Sequence, residues 1–218
     1  MQCHPQSGPT MIDVLMIDVD GVLVVGRPKD GRNWAAELEA DLGLRPDDLA
    51  REFFARYWDD IVTGRAELAE CLDPVLERLA PGLGVPEVLD YWFRQDSRLN
   101  RGLLSSLAEL RQRGMRVHLA TNQEHLRAHY LMHEMRLNDH VDGMIYSAAL
   151  GARKPEPAFF ELAGNSVGEP GCRILLVDDT PDNVSGARKA GWNALLWTSG
   201  MVLEDELRVF DAGQPSRA

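Results

Sequence analysis

The stretch Met16-Ile17-Asp18-Val19-Asp20-Gly21-Val22-Leu23 decides how the rest of the chain is read. It closes an almost continuous apolar run, Met11 to Val19, in which Ile12, Val14, Leu15, Met16 and Ile17 predict a strand buried on both faces. The run delivers two carboxylates two positions apart, then a glycine. Strand side chains alternate faces, so Asp18 and Asp20 share a direction if the strand continues; if it ends there, both acids meet at its C-terminal edge. Open α/β sheets place ligands at such edges. Two neighbouring acids repel, and a divalent cation offsets that repulsion. A strand ending in a plain polar turn carries the same letters, so the remaining residues must decide.

Past Gly21 the character changes. Gly26 and Pro28-Lys29-Asp30-Gly31 mark a connection, and from about Trp34 to Leu99 the pattern is helical with no strand. Asn33 predicts a cap for a helix that Gly43 ends. Pro46 opens a second helix, with Asp47 and Asp48 in its first turn and an apolar stripe through Leu49, Phe53, Tyr57 and Ile61. A third is expected over Arg65 to Leu79, kinked or divided at Pro74, and a fourth over Pro86 to Gln95.

The second half alternates. Leu103, Leu104, Leu107 and Leu110 line a helix, followed by strands expected at Met115 to Ala120, Val141 to Ser147, Arg173 to Val177 and Ala194 to Thr198. Helices are expected between them at Glu124 to Met135, Glu156 to Gly164 and Asp182 to Lys189, with 203–210 a last helix or an edge segment. Alternating strands and helices predict a parallel sheet covered on both sides. The first strand then rejoins the second half, and the helical stretch is an insertion that can cover the crevice. The fold class is α/β: a Rossmann-like parallel-sheet core over 11–24 and 98–218, with a small helical cap over 25–97.

Bulk properties narrow the function. The chain has 218 residues, 44% of them hydrophobic, and a formal net charge of -11. That excess of acid argues against a general nucleic-acid surface, and an anionic ligand would need local Lys, backbone N–H groups or a metal. No apolar run reaches the length of a membrane helix, and Met1 to Thr10 read as a loose extension without a signal segment. Cys3, Cys71 and Cys172 suggest neither a disulfide framework nor a thiolate metal site, which fits a cytoplasmic protein, and Cys172 is expected to be a packing residue.

Four segments carry the chemistry: Asp18-Val19-Asp20-Gly21, Leu119-Ala120-Thr121-Asn122, Gly151-Ala152-Arg153-Lys154-Pro155 and Val177-Asp178-Asp179-Thr180-Pro181-Asp182-Asn183. Each sits at a strand end or just before a helix. Adjacent strands would bring carboxylates, a hydroxyl, an amide and an ammonium into one crevice, a set suited to a phosphoryl group and Mg²⁺. In order and spacing these segments resemble the haloacid dehalogenase-like (HAD) superfamily from about Ile12 to Thr198, with an insertion similar to its C1-type cap. The fourth segment resembles the subgroup of sugar-phosphate phosphatases and the phosphatase-like domains of epoxide hydrolases.

The resemblance implies a role for each position. Asp18 is the nucleophile that forms an aspartyl-phosphate and a metal ligand. Asp20 is the general acid and base, its backbone carbonyl a further metal ligand. Thr121 and Lys154 bind phosphate, and Asn122 orients substrate or supplies a backbone contact. Asp179 is the direct ligand of Mg²⁺, and Asp178 binds it through water or as a second acid. Asn183 stands where many relatives carry Asp, and Asp182 is expected to cap the next helix.

Asp20 favours phosphate-ester hydrolysis over carbon–halogen cleavage, because the dehalogenases of the family lack an acid there. The expected activity is Mg²⁺-dependent hydrolysis of a small phosphorylated metabolite, with a sugar phosphate leading. A phosphomutase or other phosphotransferase and an inactive metabolite-binding protein are the alternatives. Arg65 is the cap residue expected to select substrate, since a guanidinium suits a second anion or sugar hydroxyls. His125, His129 and His133 share a helical face without a completing carboxylate and are read as surface. Nothing addresses the oligomeric state.

Overall fold

A computed structural model of the chain describes residues 12–213. The expected extension Met1 to Thr10, the first strand's start at Met11 and the residues after Gly213 lie outside the described residues.

Five strands form one parallel sheet: β1 (Val14–Ile17), β2 (Arg116–Thr121), β3 (Gly143–Tyr146), β4 (Ile174–Asp178) and β5 (Asn193–Leu196), in the order β3-β2-β1-β4-β5. The first strand is therefore central. Its two faces explain its unbroken apolar letters. Leu15 and Ile17 pack with Val117, Leu119, Leu175, Val177 and the helix Arg101–Gln112. Val14 and Met16 pack on the opposite side with Phe159, Phe160, Val184 and Trp192. All four β1 side chains are fully buried. The first strand is shorter than its apolar run, and the surplus residues become the turn that carries the acids.

The connections leave β1 for β2 and β3 on one side and return to β4 and β5 on the other, so strand order reverses beside β1. In register, Ile17 faces Leu119 on β2 and Val177 on β4. The residues following each therefore emerge at one level, at the crevice where open α/β sheets hold ligands.

The inserted helices carry a separate apolar cluster around Leu38, Phe53, Leu72, Leu76 and Trp92. Leu49, Phe53 and Ile61 of the expected stripe are buried, and the helix carrying them runs from Pro46 to Val62 with a π segment at Ala50–Phe54. Trp34, Phe54, Trp58 and Trp92 pack ring against ring between the small helices. Aromatic area stabilises helices too short to hold alone.

Several local expectations need correction. The third helix starts at Leu68, not Arg65, because the Arg65 and Ala66 N–H groups donate back to the Asp60 carbonyl in a turn. That helix runs through Pro74 undivided. The stretch after Asn122 splits into an α segment His125–His129 and a π segment Tyr130–Glu134. Asp182 does not cap its helix: Thr180 holds that position and Pro181 follows, which needs no N–H at the first helical site. Residues Leu203–Gly213 are helical. Cys71 is free and partly buried.

Candidate active site

The β1 ladder extends one bond beyond the strand, from the Asp18 N–H to the Val177 carbonyl at 2.9 Å. The chain then folds sharply, with the N–H groups of Val22, Leu23 and Val24 converging on the Val19 carbonyl at 3.3, 2.8 and 2.8 Å. Gly21 makes this turn possible with φ +83°, and a Cβ placed on it would lie 1.9 Å from Asp179 Oδ2. The glycine thus serves two needs at once: a left-handed backbone and room for the Asp179 carboxylate.

Asp18 sits at the floor of the crevice, 7% exposed. Its Oδ1 accepts from the Val19 N–H at 2.8 Å and lies 3.0 Å from Lys154 Nζ. Burial dominates and pushes its carboxyl up to about 6, against the pull of Lys154 and with a further push from Asp178. Lys154, 2% exposed, spends its donors inside the site: Nζ donates to Asp178 Oδ2 at 2.6 Å and to the Ala120 carbonyl at 2.7 Å, besides pairing with Asp18. Burial opposes its charge, yet the two carboxylates outweigh that and hold the ammonium above the ordinary lysine range.

Asp178 is fully buried and held by several donors. Thr180 N–H and Asn183 Nδ2 reach Oδ1 at 2.9 and 3.0 Å, and Asn183 Nδ2 also lies 3.1 Å from Oδ2. Asn183 therefore supplies a donor that positions Asp178, which an acid at the same place could do only when protonated. Asn122 does related work on the lysine loop: Lys154 N–H donates to its Oδ1 at 2.8 Å, and its Nδ2 donates to the Lys154 carbonyl at 2.9 Å. In this structure its amide clamps backbone. Thr121 closes β2 and is 1% exposed.

Asp179 is the more exposed of the adjacent acids, with Thr180 Oγ1 at 3.3 Å from Oδ1. Burial and the neighbouring Asp178 raise its carboxyl. Asp18, Asp178 and Asp179 each offer an oxygen, and these lie within 4.8 Å of one another. Three convergent carboxylates, with the Asp179 carboxylate seated in the space a Gly21 side chain would fill, are a donor set that fits a hard divalent cation such as Mg²⁺.

Asp20 stands at the mouth. Gln123, 3% exposed, donates from Nε2 to Asp20 Oδ2 at 2.5 Å. Desolvation by the surrounding protein pushes the Asp20 carboxyl up to about 7, and Asp96 adds to it. Solvent reaches the outer side of Asp20, which screens part of that effect.

The cap meets the core along a seam that sequence reading missed. Buried Arg127 donates to the carbonyls of Phe93 and Asp96, the C-terminal end of the helix Val85–Gln95, and stacks over Phe93 and Tyr130. A cation there satisfies the last carbonyls of a helix. Ser147 Oγ donates to the Val62 carbonyl at 2.5 Å, and Arg153 pairs with Asp59 at 2.6 Å. Gly64 lies against Ala148, whose carbonyl would be 2.4 Å from an added Cβ. Arg65 is exposed and engaged with Asp60 Oδ1 at 2.8 Å and the Asp59 carbonyl at 3.3 Å. His129 and His133 lie against each other with their rings tilted by 41°, and His125 meets Tyr146 edge to face. Gln123 was visible beside Thr121-Asn122, but only tertiary proximity to Asp20 marks it. The seam residues, far apart in sequence, carry no local signal.

The chain matches the haloacid dehalogenase-like hydrolase family over residues 12–191. It is 26% identical over 203 residues to a sesquiterpene phosphatase of Aspergillus oryzae, covering 91% of this chain and 96% of that protein. A phosphatase of Mycobacterium tuberculosis is 37% identical over 92 residues, 42% of each chain. Among solved structures, a HAD family enzyme of Bacteroides thetaiotaomicron, complexed with magnesium and inorganic phosphate, superposes with a TM-score of 0.73 at 19% identity, covering 87% of this chain and 96% of that one. With the family matched over most of its length and the parallel sheet and helical cap in place, this chain belongs to the haloacid dehalogenase-like hydrolases.

Proposed function

We propose that this hydrolase is a Mg²⁺-dependent phosphatase that removes phosphate from a small phosphomonoester through an aspartyl-phosphate on Asp18. The core would comprise 11–24 and 98–218 and the cap 25–97. The observation that carries the reading is the meeting of Asp18, Lys154, Asp178 and Asp179 at the sheet's reversal point, with a fourth acid, Asp20, at the mouth. Asp18, Asp179, Asp178 and the Asp20 carbonyl would hold Mg²⁺, which when bound supplies positive charge against the carboxylates and the phosphate oxygens.

Each residue then has a distinct task. Asp18 Oδ1 is engaged by Val19 N–H and Lys154, which fixes the carboxylate and leaves Oδ2 to attack phosphorus. As the Oδ2–P bond forms, the ester P–O bond breaks and Asp20 gives its proton to the departing oxygen. Water then attacks the same phosphorus while Asp20 takes its proton, returning phosphate and free Asp18. The raised Asp20 carboxyl is suited both to hold a proton and to release it. Lys154 balances charge and orients Asp18, and Asn122 fixes its loop. Thr121 is assigned to phosphate.

A sugar phosphate is the leading substrate class, with Arg65 swinging from Asp60 to meet it. One observation favours a second class, a phosphate on an apolar chain: the cap holds the half-buried aromatic side chains of Trp34, Phe54 and Trp58, and the relative matched over nearly its whole length is a sesquiterpene phosphatase. A panel of sugar, nucleotide and prenyl phosphates, assayed with Mg²⁺ and after chelation, separates the two. Asp18→Asn is expected to lower turnover by on the order of 10³ or more. Wild-type turnover in that variant would sink the covalent route.

A further inference from the structure

Gln123 lies outside the four motif segments, yet its side chain is the one that grips the acid at the mouth. It is 3% exposed, and its Nε2 donates to Asp20 Oδ2 at 2.5 Å. Its own backbone is anchored: the Ala148 N–H and Ser147 Oγ both donate to the Gln123 carbonyl at 3.2 Å. Ser147 Oγ also reaches the cap's Val62 carbonyl at 2.5 Å, so Gln123 stands where core and cap meet.

A buried amide with a fixed backbone has few rotamers, and a carboxylate bonded to it has few as well. The amide N–H occupies Oδ2. A proton carried by Asp20 then resides on Oδ1, the oxygen left to face a leaving group. Without that bond Asp20, on a turn and open to solvent on one side, is free to rotate and to present either oxygen. Proton transfer in the transition state demands a donor within hydrogen-bond reach of the departing oxygen, so a misoriented acid loses efficiency even if its chemistry is intact.

We propose that Gln123 is a positioning residue for the proton donor: it fixes the Asp20 carboxyl so that Oδ1 delivers the proton to the departing ester oxygen. This rests on the phosphatase reading and on Asp20 as its acid. The step balances within the first half-reaction: the ester P–O bond breaks, its electrons stay on the departing oxygen, and the Oδ1 proton neutralises that oxygen.

The distinguishing property is leaving-group dependence. A nitrophenolate departs without a proton, whereas an alkoxide needs one. The test compares kcat/KM for p-nitrophenyl phosphate with that for an alkyl phosphate that the wild type hydrolyses; kcat/KM reports phosphoryl transfer to Asp18 rather than the later hydrolysis. Gln123→Met keeps the volume and removes the donor. It is expected to lose about 10–100-fold on the alkyl ester and less than about threefold on the nitrophenyl ester. Equal losses on both, or no loss on the alkyl ester, would overturn the assignment. Gln123→Asn, which keeps the amide one methylene further back, is expected to show the same selective loss and serves if the methionine variant does not fold by circular dichroism. Asp20→Asn is the control for the underlying reading. If that control is selective and the Gln123 variants are not, only the positioning role fails; if the control shows no selectivity, Asp20 is not the acid and both readings fall.

Discussion

At the residue scale, the burial of Asp18 ties its charge to the stability of the fold. Its carboxyl is raised from the ordinary 3.8 to about 6, chiefly by desolvation. Below about pH 4 it is protonated in folded and unfolded chain alike and exacts no penalty. As pH rises from there through about 6, the unfolded chain ionises this group freely while the folded protein resists, and stability is lost. Asp18→Asn removes that group while leaving Lys154 its bonds to Asp178 and the Ala120 carbonyl. In chelated buffer the variant is expected to exceed wild type by about 1–3 kcal/mol at pH 8, with the gap closing near pH 4. Denaturant melts at both pH values check this, and an asparagine variant weaker than wild type at pH 8 would refute it. Gly21 offers a second residue-level prediction. Alanine there would be strained at φ +83° and would displace the Asp179 carboxylate. If Asp179 holds Mg²⁺ as proposed, Gly21→Ala is expected to raise the Mg²⁺ concentration for half-maximal activity by about 10–100-fold.

At the scale of elements, the strands and most helices were readable because burial on two faces and caps at helix ends leave local marks. The buried strand Val14–Ile17 was legible in the run from Ile12 to Ile17, and Gly43 ends the helix Leu38–Leu42 in the left-handed region, but Asn33 caps only a separate 3₁₀ turn, Trp34–Glu37, through the Ala35 N–H. The failures arise where a specific bond overrode a local preference. Arg65 and Ala66 turn back on Asp60 instead of opening a helix, and Glu124 takes the cap of the helix His125–His129 by accepting from the Leu126 and Arg127 N–H groups. The seam between cap and core is the element-level feature most exposed to test. At Gly64 an alanine would meet the Ala148 backbone, which cannot yield as a side chain tip can. Gly64→Ala is expected to destabilise the fold by about 1–3 kcal/mol, read from thermal melts, whereas Gly43→Ala, with open space at its Cβ, carries only the backbone strain of φ +68°.

At the scale of the whole molecule, the acidic net charge of -11 makes the site's charge balance a property of the fold. Three carboxylates converge, two of them paired with the one buried ammonium, and the crevice is left with excess negative charge. Binding of Mg²⁺ to folded protein alone should therefore raise stability by about 2.7 kcal/mol at a hundredfold excess over its dissociation constant. The expected result is a rise in melting temperature on adding Mg²⁺ to wild type and little rise in Asp179→Asn; an equal rise in both would place the cation elsewhere. No described helix is long and apolar enough to cross a membrane.

The letters of the chain were enough for the α/β class, for the helical insertion and for the acids and lysine that meet in the crevice. Each of those is written in local periodicity or in a motif next to a strand end. Which oxygens of Asp178 are held by Asn183, that Asn122 clamps the lysine loop, that Gln123 grips Asp20 and that Ser147, Arg153 and Gly64 seat the cap emerged only from tertiary structure. The physical reason is distance along the chain. A hydrogen bond between residues about a hundred positions apart, as between Asp20 and Gln123, leaves no periodic trace in either neighbourhood and exists only once the parallel strands bring both to the same edge.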